Sequence, residues 1–312
     1  MSMKTRFIIL FILLLNLGFQ SLYGQWDAQF SQYWQSKTYY NPSFVGQSQN
    51  IDVWATYRMQ WVGARRPPKS SIMAADMPLS FLGKSHGAGL LFFNEKIGLF
   101  SNTTYAGQYA YKLKFKNNKS LNFGLQLAMT SIEFDATDIS VFDEAETDLP
   151  TGTGDKTFDM SLGVSWVTPT YYVGFSTTHL WEPRFELDEN TRSFIGRAYY
   201  LVGGGNINLN NSLFNLQPSF LLKSDAITTQ LDITARVEYD EMFSGGVSWR
   251  KDEGFVFLLG LKIKNIEGGY SYDISTSEIG KASDGSHEFF VRYKIPIRPP
   301  KKEGRYKSIR IL

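Results

Sequence analysis

The chain has 312 residues, none of them cysteine, and carries 32 basic against 30 acidic side chains. Without cysteine there is neither a disulfide framework nor a lipid attached at a processed N-terminal Cys. The basic residues are scattered or terminal and no groove-reading motif accompanies them, which argues against a nucleic-acid partner.

Lys4 and Arg6 precede an apolar run, Phe7–Leu17, followed by Leu22-Tyr23-Gly24. That order reads as a secretory leader. Its 11 apolar residues fall short of the roughly 20 that a bilayer-spanning helix takes. The expected leader is therefore residues 1–24, with the mature chain starting near Gln25. Its removal takes Lys4 and Arg6 away and leaves 30 basic against 30 acidic residues. No later apolar run is long enough for a membrane helix. Export without a helix leaves a soluble exported protein or an outer-membrane barrel.

Residues 25–48 hold Trp26, Phe30, Tyr33, Trp34, Tyr39, Tyr40 and Phe44. This is too aromatic for a free linker. The expectation is a plug that folds into or under the periplasmic mouth of a barrel and partly closes it.

From Gln49 to Ile295 the chain is a succession of segments in which apolar and polar residues alternate. Between Thr104 and Phe115, Tyr105, Gly107, Tyr109, Tyr111 and Leu113 would face one way, and Ala106, Gln108, Ala110, Lys112 and Lys114 the other. A strand turns its side chains over at every residue, so each segment makes a sheet with one apolar and one polar face. The pattern predicts strands over Ile51–Trp61, Lys69–Met77, His86–Lys96, Ser101–Phe115, Ser120–Ile132, Thr157–Val167 and Tyr171–His179. It continues over Phe194–Asn208, Leu213–Leu222, Thr228–Tyr239, Met242–Trp249, Gly254–Ile263, Glu267–Ser275 and Ser286–Ile295. The fold class this implies is all-β, a transmembrane antiparallel β-barrel of about 14 strands over residues 49–296.

The connections support that reading. Bacterial barrels alternate short periplasmic turns with longer external loops. The tight connections Lys116–Lys119, Thr168-Pro169, Leu209–Ser212, Asp240-Glu241 and Lys264–Ile266 all follow even-numbered strands. The three longest, Glu133–Lys156, Leu180–Ser193 and Thr276–Gly285, all follow odd ones. A soluble sandwich has no reason to sort its loops so, and its outward faces would carry more charge. Here the polar faces are mostly Thr, Ser, Asn, Gln, Ala and Gly, with Tyr, Phe and Trp near strand ends, as interfacial girdles require.

Chemistry is sparse. His86, His179 and His287 are the only histidines, and the sequence has no Gly-x-Ser-x-Gly elbow and no zinc-type His-Glu-x-x-His pair. No catalytic, cofactor or metal residue is assigned. The acidic stretch Glu133–Asp155 lacks EF-hand spacing and reads as a solvated loop. Inward-facing Lys112, Lys114, Arg236, Arg292 and Lys294 suit either an anion-selective pore or the anchoring of a plug. Arg58 suits an ion pair with an acid on the closing strand, and Trp61 an interfacial anchor. Proline cannot donate to a ladder, so Pro296 ends the last strand, and residues 297–312 form a basic periplasmic tail.

Several segments together carry a family resemblance. Asp27, Gln29-Phe30-Ser31-Gln32-Tyr33, Tyr40-Asn41-Pro42 and Gly46 come first, then Tyr57-Arg58-Met59-Gln60-Trp61-Val62-Gly63. Gly87-Ala88-Gly89, Asn94-Glu95-Lys96-Ile97-Gly98, Leu121-Asn122-Phe123-Gly124-Leu125 and Gly285-Ser286-His287-Glu288 follow. In order and spacing these resemble the PorP/SprF family of type IX secretion system membrane proteins, across essentially the whole mature chain. The resemblance implies an outer-membrane barrel that catalyses nothing and needs no cofactor. It further implies a partner: the periplasmic ring lipoprotein of the secretion apparatus, or a surface adhesin with a C-terminal secretion domain. The expected contacts are Trp26, Phe30, Tyr33, Trp34, Tyr40, Asn41 and Pro42 in the aromatic segment and Arg58 and Trp61 on the first strand. Arg298, Lys301, Lys302 and Arg305 in the tail complete the set. The alternative is a passive pore or solute channel.

Overall fold

The computed structural model describes residues 27–134, 153–188, 191–209, 213–276 and 283–297. The leader, Trp26, most of the acidic loop, and Arg298, Lys301, Lys302 and Arg305 of the tail lie outside the described residues. A short helix, α1 (Lys37–Tyr40), and a 3-10 turn, Pro42–Phe44, precede the strands. The first seven strands are β1 (Asn50–Met59), β2 (Lys69–Phe81), β3 (Lys84–Ile97), β4 (Phe100–Lys114), β5 (Ser120–Phe134), β6 (Thr153–Val167) and β7 (Tyr171–Thr178). A small hairpin follows, β8 (Arg184–Asp188) and β9 (Thr191–Phe194), then β10 (Ala198–Gly205) and β11 (Ile207–Asn208). The rest are β12 (Phe214–Ser224), β13 (Thr229–Tyr239), β14 (Phe243–Arg250), β15 (Gly254–Ile263), β16 (Ile266–Ser275) and β17 (Ser286–Pro296).

Neighbouring strands pair antiparallel in chain order, β10 bridges to β12, and β1 pairs with β17. The sheet therefore closes on itself. β11 continues β10 along the same partner after a break at Asn206, so the two form one stave and the barrel has fourteen. Closure satisfies every edge, as the interior of a bilayer demands of a sheet. Tight turns join the strands at one end. Leu82-Gly83 and Asp240-Glu241 have positive φ at both central residues, the geometry that matches the twist of paired strands.

The alternation seen in the sequence is turned inside out relative to a soluble protein. On β4, Tyr105, Gly107 and Tyr109 face outward and are exposed, whereas Ala106, Gln108, Ala110 and Lys112 face the lumen and are buried. The same holds for exposed Met73, Leu90, Leu127, Leu162, Phe175, Leu259 and Val291 around the girth. Outward aromatic pairs mark the rim at the turn end, Phe115–Trp166 and Phe214–Tyr239, whereas Phe100–Phe134 at the loop end has inward parity, and Phe100 lines a cavity beside Asp27.

Two expectations need correction. The stretch Leu180–Ser193 is more than a loop: it contains most of the β8–β9 hairpin, whose Phe185 and Leu187 pack against Ile132. Strands of five and four residues are too short to reveal a period. The sorting of connections is also incomplete, because Gly98-Leu99, 225–228 and 251–253 are tight turns at the loop end. Positive φ at Gly98, Ala226 and Asp252 lets them turn there.

Leu90, 70% exposed at the middle of β3, tests the environment of this outer face. Leu90→Arg should destabilise the barrel in lipid vesicles by about 2–4 kcal/mol, measured by denaturant titration. A face bathed in water would accept the same change at almost no cost.

Candidate functional site: a luminal plug

Residues 27–46 occupy the lumen, from the loop end almost to the turn end. They lie deeper than a cover under the mouth. Asp27 sits by the loop end, where His179 Nε2 is 3.0 Å from its Oδ1 and the Tyr200 hydroxyl donates to its Oδ2 at 2.6 Å. His179 Nδ1 meets Asp159 Oδ2 at 2.6 Å, so the imidazole is held between two carboxylates.

A buried charge network holds the next turn. Ser31 N–H and Gln32 N–H donate to the two oxygens of Glu288, at 2.6 and 2.8 Å. Arg58 donates to Ser31 Oγ at 2.8 Å and to Asp273 at 2.6 Å, and its third contact, with Glu288, is 3.4 Å. Arg250 reaches Asp232 and Asp273, each at 3.0 Å, and Ser31 Oγ at 3.2 Å. Gln29 donates to Asp232 at 2.9 Å. Two guanidiniums and three carboxylates thus converge on three plug residues, Gln29, Ser31 and Gln32. Charge this deeply buried persists only when paired and hydrogen-bonded.

The chain then descends. Tyr33 donates its hydroxyl to Thr234 at 2.9 Å, and Trp34 lies under the Arg236 guanidinium, 4.1 Å from the ring. Arg292 donates to Gln35 Oε1 at 2.8 Å near the turn end. Helix α1 turns back upward, placing the Lys37 ammonium 4.4 Å above the Tyr172 ring and the Tyr40 carbonyl 2.6 Å from Ser176 Oγ. Asn41 caps the 3-10 turn by accepting from Ser43 N–H at 2.9 Å, and donates to the carbonyls of Val164 and Phe175. Gly46 N–H donates to Asp76 at 2.7 Å, its carbonyl accepts from Lys112, and the chain leaves toward β1.

The wall is shaped for this occupant. A Cβ on Gly124 would fall on Ser43 N, one on Gly163 on Asn41 Oδ1, one on Gly87 on Val45 O and one on Gly269 on Gln32 Oε1. Inward glycines form the groove into which the plug backbone is pressed.

Phe30, Tyr33, Trp34, Tyr40, Asn41 and Pro42 are thus all buried against the barrel interior, and so is Arg58. Their contacts are with the wall, not with an outside surface. Arg58 does meet an acid on the closing strand, Glu288. Trp61 stands just beyond β1, half-buried, its N–H donating to Ser286 Oγ at 3.1 Å. Lys112, Arg236 and Arg292 hold the plug. Asp232, Arg250 and Asp273 went unremarked in the sequence. The signal was clear only on β14, where Arg250 follows the small inward Ser244, Gly246 and Ser248; on β13 and β16 further inward charges, Arg236, Glu238 and Glu267, hid Asp232 and Asp273 among them.

The family model for "Type IX secretion system membrane protein PorP/SprF" matches residues 22–293, plug and barrel together. The chain belongs to the PorP/SprF family. It is accordingly an outer-membrane β-barrel component of the type IX secretion system. No curated protein matches the sequence. Among solved structures, the Acinetobacter baumannii outer membrane protein Omp33 is 8% identical, with 80% of this chain and 100% of that one covered and a TM-score of 0.49. A Pseudomonas aeruginosa FadL homologue is 10% identical, covering 84% and 94%, also at 0.49. The CymD monoaromatic hydrocarbon channel is 11% identical, covering 85% and 93%, again at 0.49. The short turns of a PorP/SprF barrel then face the periplasm and the longer loops the exterior.

Two measurements probe the plug. Because the chain has no native cysteine, Thr38→Cys, at a buried plug position, reports access without background. Maleimide labelling should be slow in the parent and at least about tenfold faster once Gly163→Val fills the groove, since the displaced plug opens to solvent. The second concerns pH. Burial opposes the charge of His179, but Asp27 and Asp159 outweigh it and raise the imidazole to about 10. Burial likewise pushes Asp27 up, but His179 and Tyr200 outweigh it and hold the carboxyl at about 2. The His179 contribution is full below its ordinary value of 6.5 and vanishes as pH rises through 10. The Asp27 contribution is full above 3.8 and vanishes as pH falls through 2. The stability difference between parent and His179→Asn should shrink steadily across the alkaline interval, measured by denaturant titration at each pH.

Proposed function

We propose that this PorP/SprF chain is a closed, non-catalytic barrel that serves type IX secretion as a docking or substrate-partner subunit. Its partner is the periplasmic ring lipoprotein or a surface adhesin with a C-terminal secretion domain. The observation that carries the reading is the plug. A lumen occupied from the loop end almost to the turn end, with both faces of the plug bonded to the wall, suits a scaffold better than a conduit. The histidines support the non-catalytic part, because each has a structural use. His86 stacks on Phe81 at 3.7 Å and meets the Tyr109 hydroxyl at 2.6 Å, and His287 meets the Tyr270 hydroxyl at 2.8 Å. His179 belongs to the clamp on Asp27.

With the plug seated, the outside surfaces left for a partner are the external loops, the β8–β9 hairpin, the periplasmic mouth and the tail. Purified barrel in planar bilayers should show no steady conductance, and deletion of residues 27–46 should open one. A stable open channel in the intact protein would favour a passive pore instead. A tag in an external loop, followed by mild solubilisation and mass spectrometry, identifies the partner. Recovery of the ring lipoprotein or of one large adhesin selects between the two branches, and recovery of the barrel alone counts against docking.

A further inference from the structure

A cavity of about 720 Å³ opens at the periplasmic mouth, between the exit of the plug and the wall built by β2–β6. Lys112, Lys114 and Lys119 line it, together with Ser80, Ser120 and Asn122. A second cavity of about 240 Å³ adjoins it along Val167, Thr168 and Pro169 and adds Lys37 and Arg236. No aspartate or glutamate lines the larger cavity beside Lys112, Lys114 and Lys119, whereas Lys37 and Arg236 also border a third cavity that Glu238 and Glu267 line. Asp76 lies behind the lining, where Gly46 N–H binds it at 2.7 Å. Among the described residues no carboxylate forms an ion pair with Lys37, Lys112, Lys114 or Lys119. The opposite side of the mouth differs: there Arg292 and Lys294 both pair with Glu267, at 3.7 and 3.8 Å.

We infer that this cavity receives an acidic, partly apolar peptide segment of a periplasmic partner. Uncompensated cations in a recess focus potential and draw an anion to it. Two features favour a peptide over a phosphate group. Pro78, Leu79, Phe115, Val167 and Pro169 put apolar surface beside the lysines, which a phosphate leaves unused and apolar side chains cover. Asn122, 1% exposed, donates to Ser165 Oγ at 3.3 Å, while its Oδ1 has no partner among the described residues. That oxygen can accept a hydrogen bond from a peptide N–H, and an unprotonated phosphate has none to give. Lysine ammoniums on flexible stems also suit spaced carboxylates better than one bidentate anion. The inference rests on the docking reading and names the chemistry of the docked segment.

The test is fluorescence anisotropy with purified barrel in non-ionic detergent. The probe is a labelled peptide of alternating glutamate and leucine, and the comparison is its lysine–leucine counterpart. The acidic peptide should bind and the basic one should not, with affinity falling as salt screens the lysines. Lys114→Glu with Lys119→Glu, both at exposed positions, should weaken binding by about tenfold or more. Lys84→Glu with Lys116→Glu makes the same change of charge on the same rim but outside the cavity lining, and should leave binding nearly intact. Equal loss in both variants reduces the effect to a diffuse field and overturns the site. Displacement of the peptide by millimolar inorganic phosphate reassigns it to a phosphate and overturns the peptide. No binding of the acidic peptide by a barrel that is closed in bilayers overturns this inference alone, whereas an open channel removes the docking reading beneath it.

Discussion

The rest of the structure follows from one constraint: the bilayer interior offers no water to pair with a backbone amide. A sheet there must consume its own edges, and the pairing of β1 with β17 does so. Closure fixes a boundary with lipid outside, so the apolar face of each strand turns outward. The polar face is left enclosing a space. Fourteen staves enclose more than wall side chains fill, unlike the smallest barrels. The inward residues here are largely small, so the remaining volume is taken by a separate segment of chain. The plug is the counterpart of the closed wall, and the aromatic content of residues 27–46 is what a lumen filler needs.

Specific chemistry seats the plug. Glu288 accepts two consecutive plug amides and meets Arg58, while Arg58 and Arg250 share Asp273 and Ser31 Oγ. Partners so interlocked leave little tolerance for another register, because sliding by one residue would strand several charges without bonds. The glycines do the same sterically. They admit the plug backbone at set points along the wall, and larger side chains there would exclude it. Aromatic packing fills volume, edge to face between Tyr33 and Trp34 and tilted between Tyr40 and Tyr200. The charges and the glycines determine where that volume sits.

Every barrel strand was legible in the sequence, because a period of two persists over eight or more residues and a membrane wall amplifies it. Arg58 could be assigned to an acid on the closing strand, since its parity is inward and closure brings that strand beside it. The convergence of Asp273, Arg250 and Glu288 on Ser31, with Asp232 beside Arg250 and Gln29, was not legible. It depends on the stagger between strands far apart in the chain, which no local pattern records. The depth of the plug escaped for the same reason. Aromatic content says that residues 27–46 seek cover, but only the groove of Gly87, Gly124, Gly163 and Gly269 says how far inside they lie. The β8–β9 hairpin was hidden by brevity, with too few residues for alternation to stand out from chance.

The plug also sets an order of events. Its ligands Asp273 and Glu288 lie 242 and 257 residues downstream of Ser31. They stand together only after β16 and β17 have paired and β17 has met β1. Contacts so distant in sequence carry the loop-closure cost of nearly the whole chain. The segment that precedes the barrel in the sequence is therefore the last that can settle. The seam must zip around a strip of chain already inside it, or the strip must thread in afterwards. Either way, a seated plug is a record that the circle behind it has been completed.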